Sequence, residues 1–103
     1  MSIVFEISTK NYLDDLLIIK KSLSHMETLV GGYNGYTLSE PSSQFGWTFF
    51  KLTFKQNLQQ GIEEKFADML SKYRFKNPSE KFTQFMIDYF QSKGCNIRIK
   101  VLD

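Results

Sequence analysis

The densest hydrophobic run of the chain covers residues 45–54 and predicts a central β-strand. Residues 47–54 are mostly aromatic or β-branched and include neither proline nor glycine, which is the composition of a strand buried within a sheet. Because side chains alternate between the two faces of a strand, Phe50 and Phe54 share one face, whereas Trp47 and Phe49 share the other. We expect the first face to meet the core. Trp47 and Phe49 then need a cover from a helix, a partner chain or a ligand.

Shorter alternating patterns predict one strand near each end of the chain. Ile3, Phe5 and Ile7 alternate with less apolar residues, and Ile97, Ile99 and Val101 alternate with Arg98 and Lys100. We therefore expect two half-buried strands, the second of which has a basic outer side.

Three segments have hydrophobic residues at the spacings of three and four that are typical of amphipathic helices. The first follows a capping residue at Ser8 or Thr9, and the second extends from residue 58 to residue 73 as a single helix. The third begins at Asn77-Pro78, where an amide cap precedes proline at the first helical position, and ends at Gly94. The apolar stripe of the first helix is predicted to contain Tyr12, Leu13, Leu16, Leu17, Ile19, Leu23 and Met26.

The segment of residues 31–46 is rich in glycine and serine and admits two interpretations. Residues 29–30 and 36–38 could form a hairpin across Asn34-Gly35, a strong turn signal, or residues 36–38 alone could pair with the central strand across a mobile connection of residues 39–45. Loops this long in compact domains are often functional. Tyr33, Tyr36, Glu40 and Phe45 are therefore candidates for contact with a partner.

The order of elements predicts a single α+β domain over residues 1–103. The expected architecture is a two-layer sandwich, with an antiparallel sheet of about four strands, three helices and the order β-α-β-β-α-α-β, a ferredoxin-like variant. One sheet face would be open. By alternation, that face carries Val4, Glu6, Trp47, Phe49, Lys51, Arg98 and Lys100.

Composition narrows the function classes. The chain has 103 residues, a formal net charge of +2 and one cysteine, so bulk charge does not indicate nucleic-acid binding and an internal disulfide is excluded. With no leader pattern and no apolar run of roughly 18 residues, we expect a soluble cytoplasmic protein that does not associate with a membrane.

No candidate catalytic, metal or cofactor site emerges from the sequence. His25 is the single histidine and has no nucleophile at an informative spacing, and Cys95 is expected to be a buried apolar residue. Adjacent carboxylates on a helix point in diverging directions, which excludes convergence of Asp14-Asp15 or Glu63-Glu64 on a metal. We therefore expect a protein that is not an enzyme and holds no cofactor.

Two resemblances suggest binding functions. Residues 45–52, Phe-Gly-Trp-Thr-Phe-Phe-Lys-Leu, are similar to the first signature of RNA-recognition-motif domains, with Phe45 in place of the basic residue and Leu52 in place of the final aromatic residue. That resemblance implies stacking of bases on Trp47 and Phe49. The overall character, a small domain without catalytic machinery, resembles the bacterial immunity proteins that neutralise toxins of bacteriocin or contact-dependent growth inhibition systems.

The second resemblance implies a protein-binding inhibitor of a secreted toxin's C-terminal domain, and it is our principal functional hypothesis. Burial of Trp47 and Phe49 in a homodimer is a further alternative. The predicted partner-binding residues comprise exposed aromatics and acidic helix positions: Asp14, Asp15, Tyr33, Tyr36, Glu40, Phe45, Trp47, Phe49, Glu63, Glu64 and Asp68.

Overall fold

A computed structural model, which describes residues 3–74 and 77–102, shows an antiparallel sheet of five strands with helices packed on one face. In chain order the elements are β1 (Val4–Thr9), α1 (Tyr12–Val30), β2 (Tyr36–Leu38), β3 (Ser42–Gln44), β4 (Trp47–Phe54), α2 (Gln56–Lys65), α3 (Ala67–Leu70), α4 (Pro78–Ser92) and β5 (Arg98–Leu102). The predicted α+β class is confirmed. The described residues contain one strand and one helix more than expected.

The strand order is β2-β4-β1-β5, and every neighbouring pair is antiparallel. Strands β1 and β2 are consequently parallel to each other with β4 between them, and β4 and β5 are parallel with β1 between them. The helix α1 connects the first pair and α2 to α4 connect the second. These two split β-α-β units give the ferredoxin-like arrangement, to which β3 is added beside the start of β4.

The inner sheet face forms the core together with the helices. In the register of β1 with β4, Phe5 lies opposite Leu52 and Ile7 lies opposite Phe50, and all four side chains are buried. The rings of Phe5 and Phe54 meet edge to face with centroids 5.3 Å apart. The prediction that alternate residues of β1 and β4 face inward is confirmed.

The apolar stripe of helix α1 is confirmed for Tyr12, Leu16, Ile19, Leu23 and Met26, which meet the core, but not for the two leucines that were expected to widen it. Asp15, predicted on the solvated side, is 6% exposed and accepts a hydrogen bond from the Thr9 hydroxyl at the buried end of β1. Residues two positions away on a helix point roughly 200° away, so Leu13 and Leu17 face solvent and are 78% and 54% exposed. Their assignment to the apolar stripe was wrong.

The predicted second helix is divided in two. Phe66 leaves helical geometry, with φ of −111° and ψ of 27°, and separates α2 from α3. The break lets the Phe66 ring pack on Phe85 with centroids 5.1 Å apart, and it leaves Met69 exposed. The third predicted helix is confirmed as α4, because the Asn77 side chain accepts a hydrogen bond from the Ser79 amide at 2.8 Å.

The segment of residues 31–46 contains two short strands, β2 and β3. Strand β2 pairs with the end of β4, which confirms one of the two interpretations, whereas the hairpin with residues 29–30 was wrong because those residues end α1. The connection expected to be mobile instead contains β3. Ser39 holds it against β4, since its amide donates to the Lys51 carbonyl at 2.9 Å and its hydroxyl accepts from the Lys51 amide at 2.7 Å.

Candidate functional site

The sheet face opposite the helices is open, as alternation predicted. Lys51, Arg98 and Lys100 are exposed on it, and the remaining side chains are only partly buried. The open face carries Val4, Glu6 and Ser8 of β1, Trp47, Phe49, Lys51 and Thr53 of β4, and Arg98 and Lys100 of β5. The open face is therefore a mixed surface of aromatic and charged groups available for contact.

Two cations cover the Trp47 ring. The Lys10 ammonium lies 4.9 Å from the ring centroid, and the guanidinium carbon of Arg98 lies 4.7 Å from it. The register explains the cluster: Thr9 pairs with Thr48, which places Lys10 beside Trp47, and Arg98 begins the strand on the far side of β1. Each such contact contributes roughly 0.5–1 kcal/mol at an exposed site. The indole is thus held in place by the open face itself, without a covering helix.

A shallow depression of about 250 Å³ lies beside Phe49. Glu6, Glu40 and Lys51 line it, together with Ser39 and Ser42. Glu40 is brought to β4 by the same Ser39 hydrogen bonds that order this segment. Around Phe49 the open face is consequently more acidic than around Trp47, so the charge is segregated along β4.

The turn between β3 and β4 presents a strongly exposed aromatic ring. Gln44 pairs with Trp47, so Phe45 and Gly46 form a two-residue hairpin loop, and both have positive φ values, of 53° and 80°. Positive φ at both central residues is the signature of a type I′ turn, which favours Asn or Gly over bulky residues. Phe45 nevertheless occupies the first position and is 94% exposed.

The structure brings four of the predicted partner-binding residues into one region, namely Glu40, Phe45, Trp47 and Phe49. It places the others elsewhere. Tyr36 lies in β2 opposite Phe54 and is partly buried rather than in a loop, and Asp15 of α1 is buried rather than on a solvated helix side. Tyr33 is exposed in the α1–β2 connection, and Asp14, Glu63, Glu64 and Asp68 lie on helices.

Lys10 is a member of the cluster that the sequence reasoning did not name. The alternation of side chains along β1 could have predicted it. Val4, Glu6 and Ser8 point to the open face, and Lys10 continues that alternation past the end of the strand. Arg98 was predicted on the open face, but its contact with Trp47 depends on the sheet order and is not visible in a local pattern.

The remaining reactive groups give no indication of chemistry. Burial raises the pKa of the Cys95 thiol to about 12, with smaller contributions from the charge of Asp15 and a hydrogen bond to it, so the thiol stays protonated. Burial and the hydrogen bond to Asp88 likewise raise the pKa of Tyr73 to about 12. Within residues 3–74 and 77–102, no group of three or more His, Cys, Asp or Glu side chains is placed to hold a metal ion.

Comparison of the chain with protein-family models, with curated proteins and with solved structures gives no match. Among the helices of the described residues, none has the length and apolarity needed to cross a bilayer.

Proposed function

We propose that this protein is a non-catalytic binding module that recognises another protein through the open sheet face, in the manner of an immunity protein that inhibits a toxin domain. The observation that carries the proposal is the Trp47 ring held by Lys10 and Arg98 on a face that no helix covers. Tryptophan and arginine are the residue types most enriched among the energetically dominant residues of protein interfaces.

Pre-organisation supports the same conclusion. The two cation–π contacts restrict the Trp47 and Arg98 side chains before any partner arrives, so less side-chain entropy is lost on association. Trp47 also lies in a strand paired on both sides, which gives the anchor a rigid base.

Segregated charge on the open face supports selective recognition. Lys10 and Arg98 suit carboxylates on the partner, whereas Glu6 and Glu40 beside Phe49 suit a partner lysine or arginine. Such a pattern favours one docking orientation, because the reversed orientation places like charges together. The acidic helix positions Asp14, Glu63, Glu64 and Asp68 lie outside this surface and have no part in the proposal.

The test starts from the gene that neighbours the gene for this chain, which the proposal expects to encode a large secreted toxin. Its purified C-terminal domain should form a complex that Trp47→Ala weakens at least roughly a hundredfold, the scale of an interface-dominating residue. Lys20→Ala, on the exposed side of α1, is the matched control and should leave affinity unchanged. Absence of a complex with the wild-type chain, or equal affinity for the two variants, would refute the proposal.

Single-stranded RNA is a second candidate ligand, favoured by aromatic rings and cations on the same open sheet face. The carboxylates of Glu6 and Glu40 oppose it, because they repel phosphates beside the second stacking ring, Phe49. Wild-type protein that retains an RNA oligonucleotide at low salt, and loses it on joint replacement of Trp47 and Phe49 by alanine, would favour this candidate. No retention by the wild type would dismiss it.

A further inference from the structure

The outer edge of β5 is an unpaired strand edge with a specific chemical pattern. Strand β5 pairs with β1 on one side, and none of the described residues pairs with its other side. In an edge strand, alternate residues direct their backbone N–H and C=O groups away from the sheet, where another strand can pair with them.

The inner side of β5 is less well covered than the strands beside it. Ile99 and Val101 face the helix layer yet are only partly buried, whereas their neighbours in the register, Ile7 and Phe5, are completely buried. The helix layer therefore leaves apolar surface at this edge, and an added strand with apolar residues on its inner side would cover it.

The outer side of β5 carries positive charge. Arg98 and Lys100 are both exposed. Glu6 of β1 lies between two lysines, with Lys100 of β5 on one side and Lys51 of β4 on the other, so it does not neutralise both of them. Opposite charges on neighbouring strands stabilise pairing and like charges oppose it. A second copy of this chain pairing edge to edge would set Arg98 and Lys100 against the same cations, so charge disfavours a homodimer through β5.

We propose that the outer edge of β5 binds an extended peptide segment that alternates acidic and apolar residues, by addition of a strand to the sheet. The apolar residues of the segment cover Ile99 and Val101, an acidic residue lies beside Lys100, and its backbone pairs with β5, whereas the Arg98 guanidinium stays on the Trp47 ring. The site is the outer edge of β5, on the side of that strand away from Trp47, and it does not depend on the function proposed above.

The test is an NMR titration of the full chain with a short capped peptide that alternates Glu and Val. Binding should protect from hydrogen exchange the β5 amides that point away from β1. A peptide with Lys in place of Glu should bind at least roughly tenfold more weakly, from the loss of paired charges and the new repulsion. A Glu-Val peptide with a central proline, which keeps the charge but removes a backbone donor, should lose the protection.

Variants of the protein assign the site. Lys100→Glu should favour the Lys peptide over the Glu peptide, whereas Lys20→Glu on α1 should change neither affinity. The proposal is overturned if the proline peptide binds as well as its parent, if Lys20→Glu changes the peptide preference as much as Lys100→Glu does, or if the Glu-Val peptide leaves β5 exchange unchanged. Concentration-dependent dimerisation that protects the same amides without peptide would also overturn it.

Discussion

Replacement of Phe45 by asparagine should stabilise the protein. Phe45 has a φ of 53° in a two-residue hairpin loop, and the left-handed region costs a non-glycine residue roughly 1–2 kcal/mol. Asparagine tolerates this region far better, and Asn-Gly is the preferred pair for a type I′ turn. Because the Phe45 ring is 94% exposed, removing it forfeits almost no buried apolar area.

The expected gain in the free energy of unfolding for Phe45→Asn is roughly 0.5–1 kcal/mol, the part of the left-handed cost that asparagine avoids. For a domain of this size, that gain raises Tm by roughly 2–8 °C. Urea denaturation and thermal unfolding followed by circular dichroism measure both quantities.

Phe45→Ala is the matched control, because it removes the exposed ring but keeps a Cβ at the same positive φ. Its stability should stay within roughly 0.5 kcal/mol of the wild type. If Phe45→Asn is no more stable than Phe45→Ala, strain at this turn is not the cause and the reasoning fails.

Four further predictions concern the interior. Burial and the raised thiol pKa should make Cys95 of the native protein react with a disulfide reagent at pH 8 roughly a thousandfold more slowly than in the unfolded chain. The pKa of the Cys95 thiol is higher in the folded than in the unfolded chain, so the protonated thiol supports folding below pH 9 and this contribution is lost as the pH rises toward 12. The urea midpoint should therefore fall over this pH range, and it should fall less steeply for Cys95→Ala. Gly61→Ala should lower the free energy of unfolding by about 1–3 kcal/mol in urea denaturation, although alanine has the better helix propensity, because a Cβ at this position lies 2.9 Å from the Val30 Cβ of α1. A Cβ at Gly32 meets open space, so Gly32→Ala is the control and should be nearly neutral. Thr9→Val should lower the free energy of unfolding by about 1–3 kcal/mol in the same assay, because it leaves the buried Asp15 carboxylate without its hydroxyl donor. A loss below roughly 0.5 kcal/mol, which is typical of surface substitutions, would contradict a stabilising role of this hydrogen bond.

Local patterns predicted the elements whose periodicity or capping is strong. The inward residues of β1 and β4 follow from a period of two, and α4 follows from the Asn77-Pro78 cap, so neither depends on distant contacts. The open face follows from the same alternation.

Contacts that a local pattern does not show account for the differences. Asp15 is buried where it accepts a hydrogen bond from Thr9, and Leu13 and Leu17, two positions to either side of it, face solvent. Strand β3 has no hydrophobic pattern of its own, and β4 orders it by pairing. The contact between Arg98 and Trp47 requires the sheet order, which places β5 beside β1.

The β3–β4 turn combines two features that oppose stability, and that combination bears on function. The β3–β4 turn holds a large residue at an unfavourable φ and exposes its ring, and the adjacent Trp47 lies on the open face in contact with Lys10 and Arg98. A turn optimised for folding alone would have asparagine in place of Phe45. Strained and solvent-exposed aromatic positions persist where they contribute to binding, because stability and activity are then in competition. Phe45→Asn should therefore weaken binding to the partner while raising Tm, a combination that a purely structural role of the turn does not produce. The acidic helix positions show no backbone strain of this kind, so the open sheet face is the surface on which the search for a partner should concentrate first.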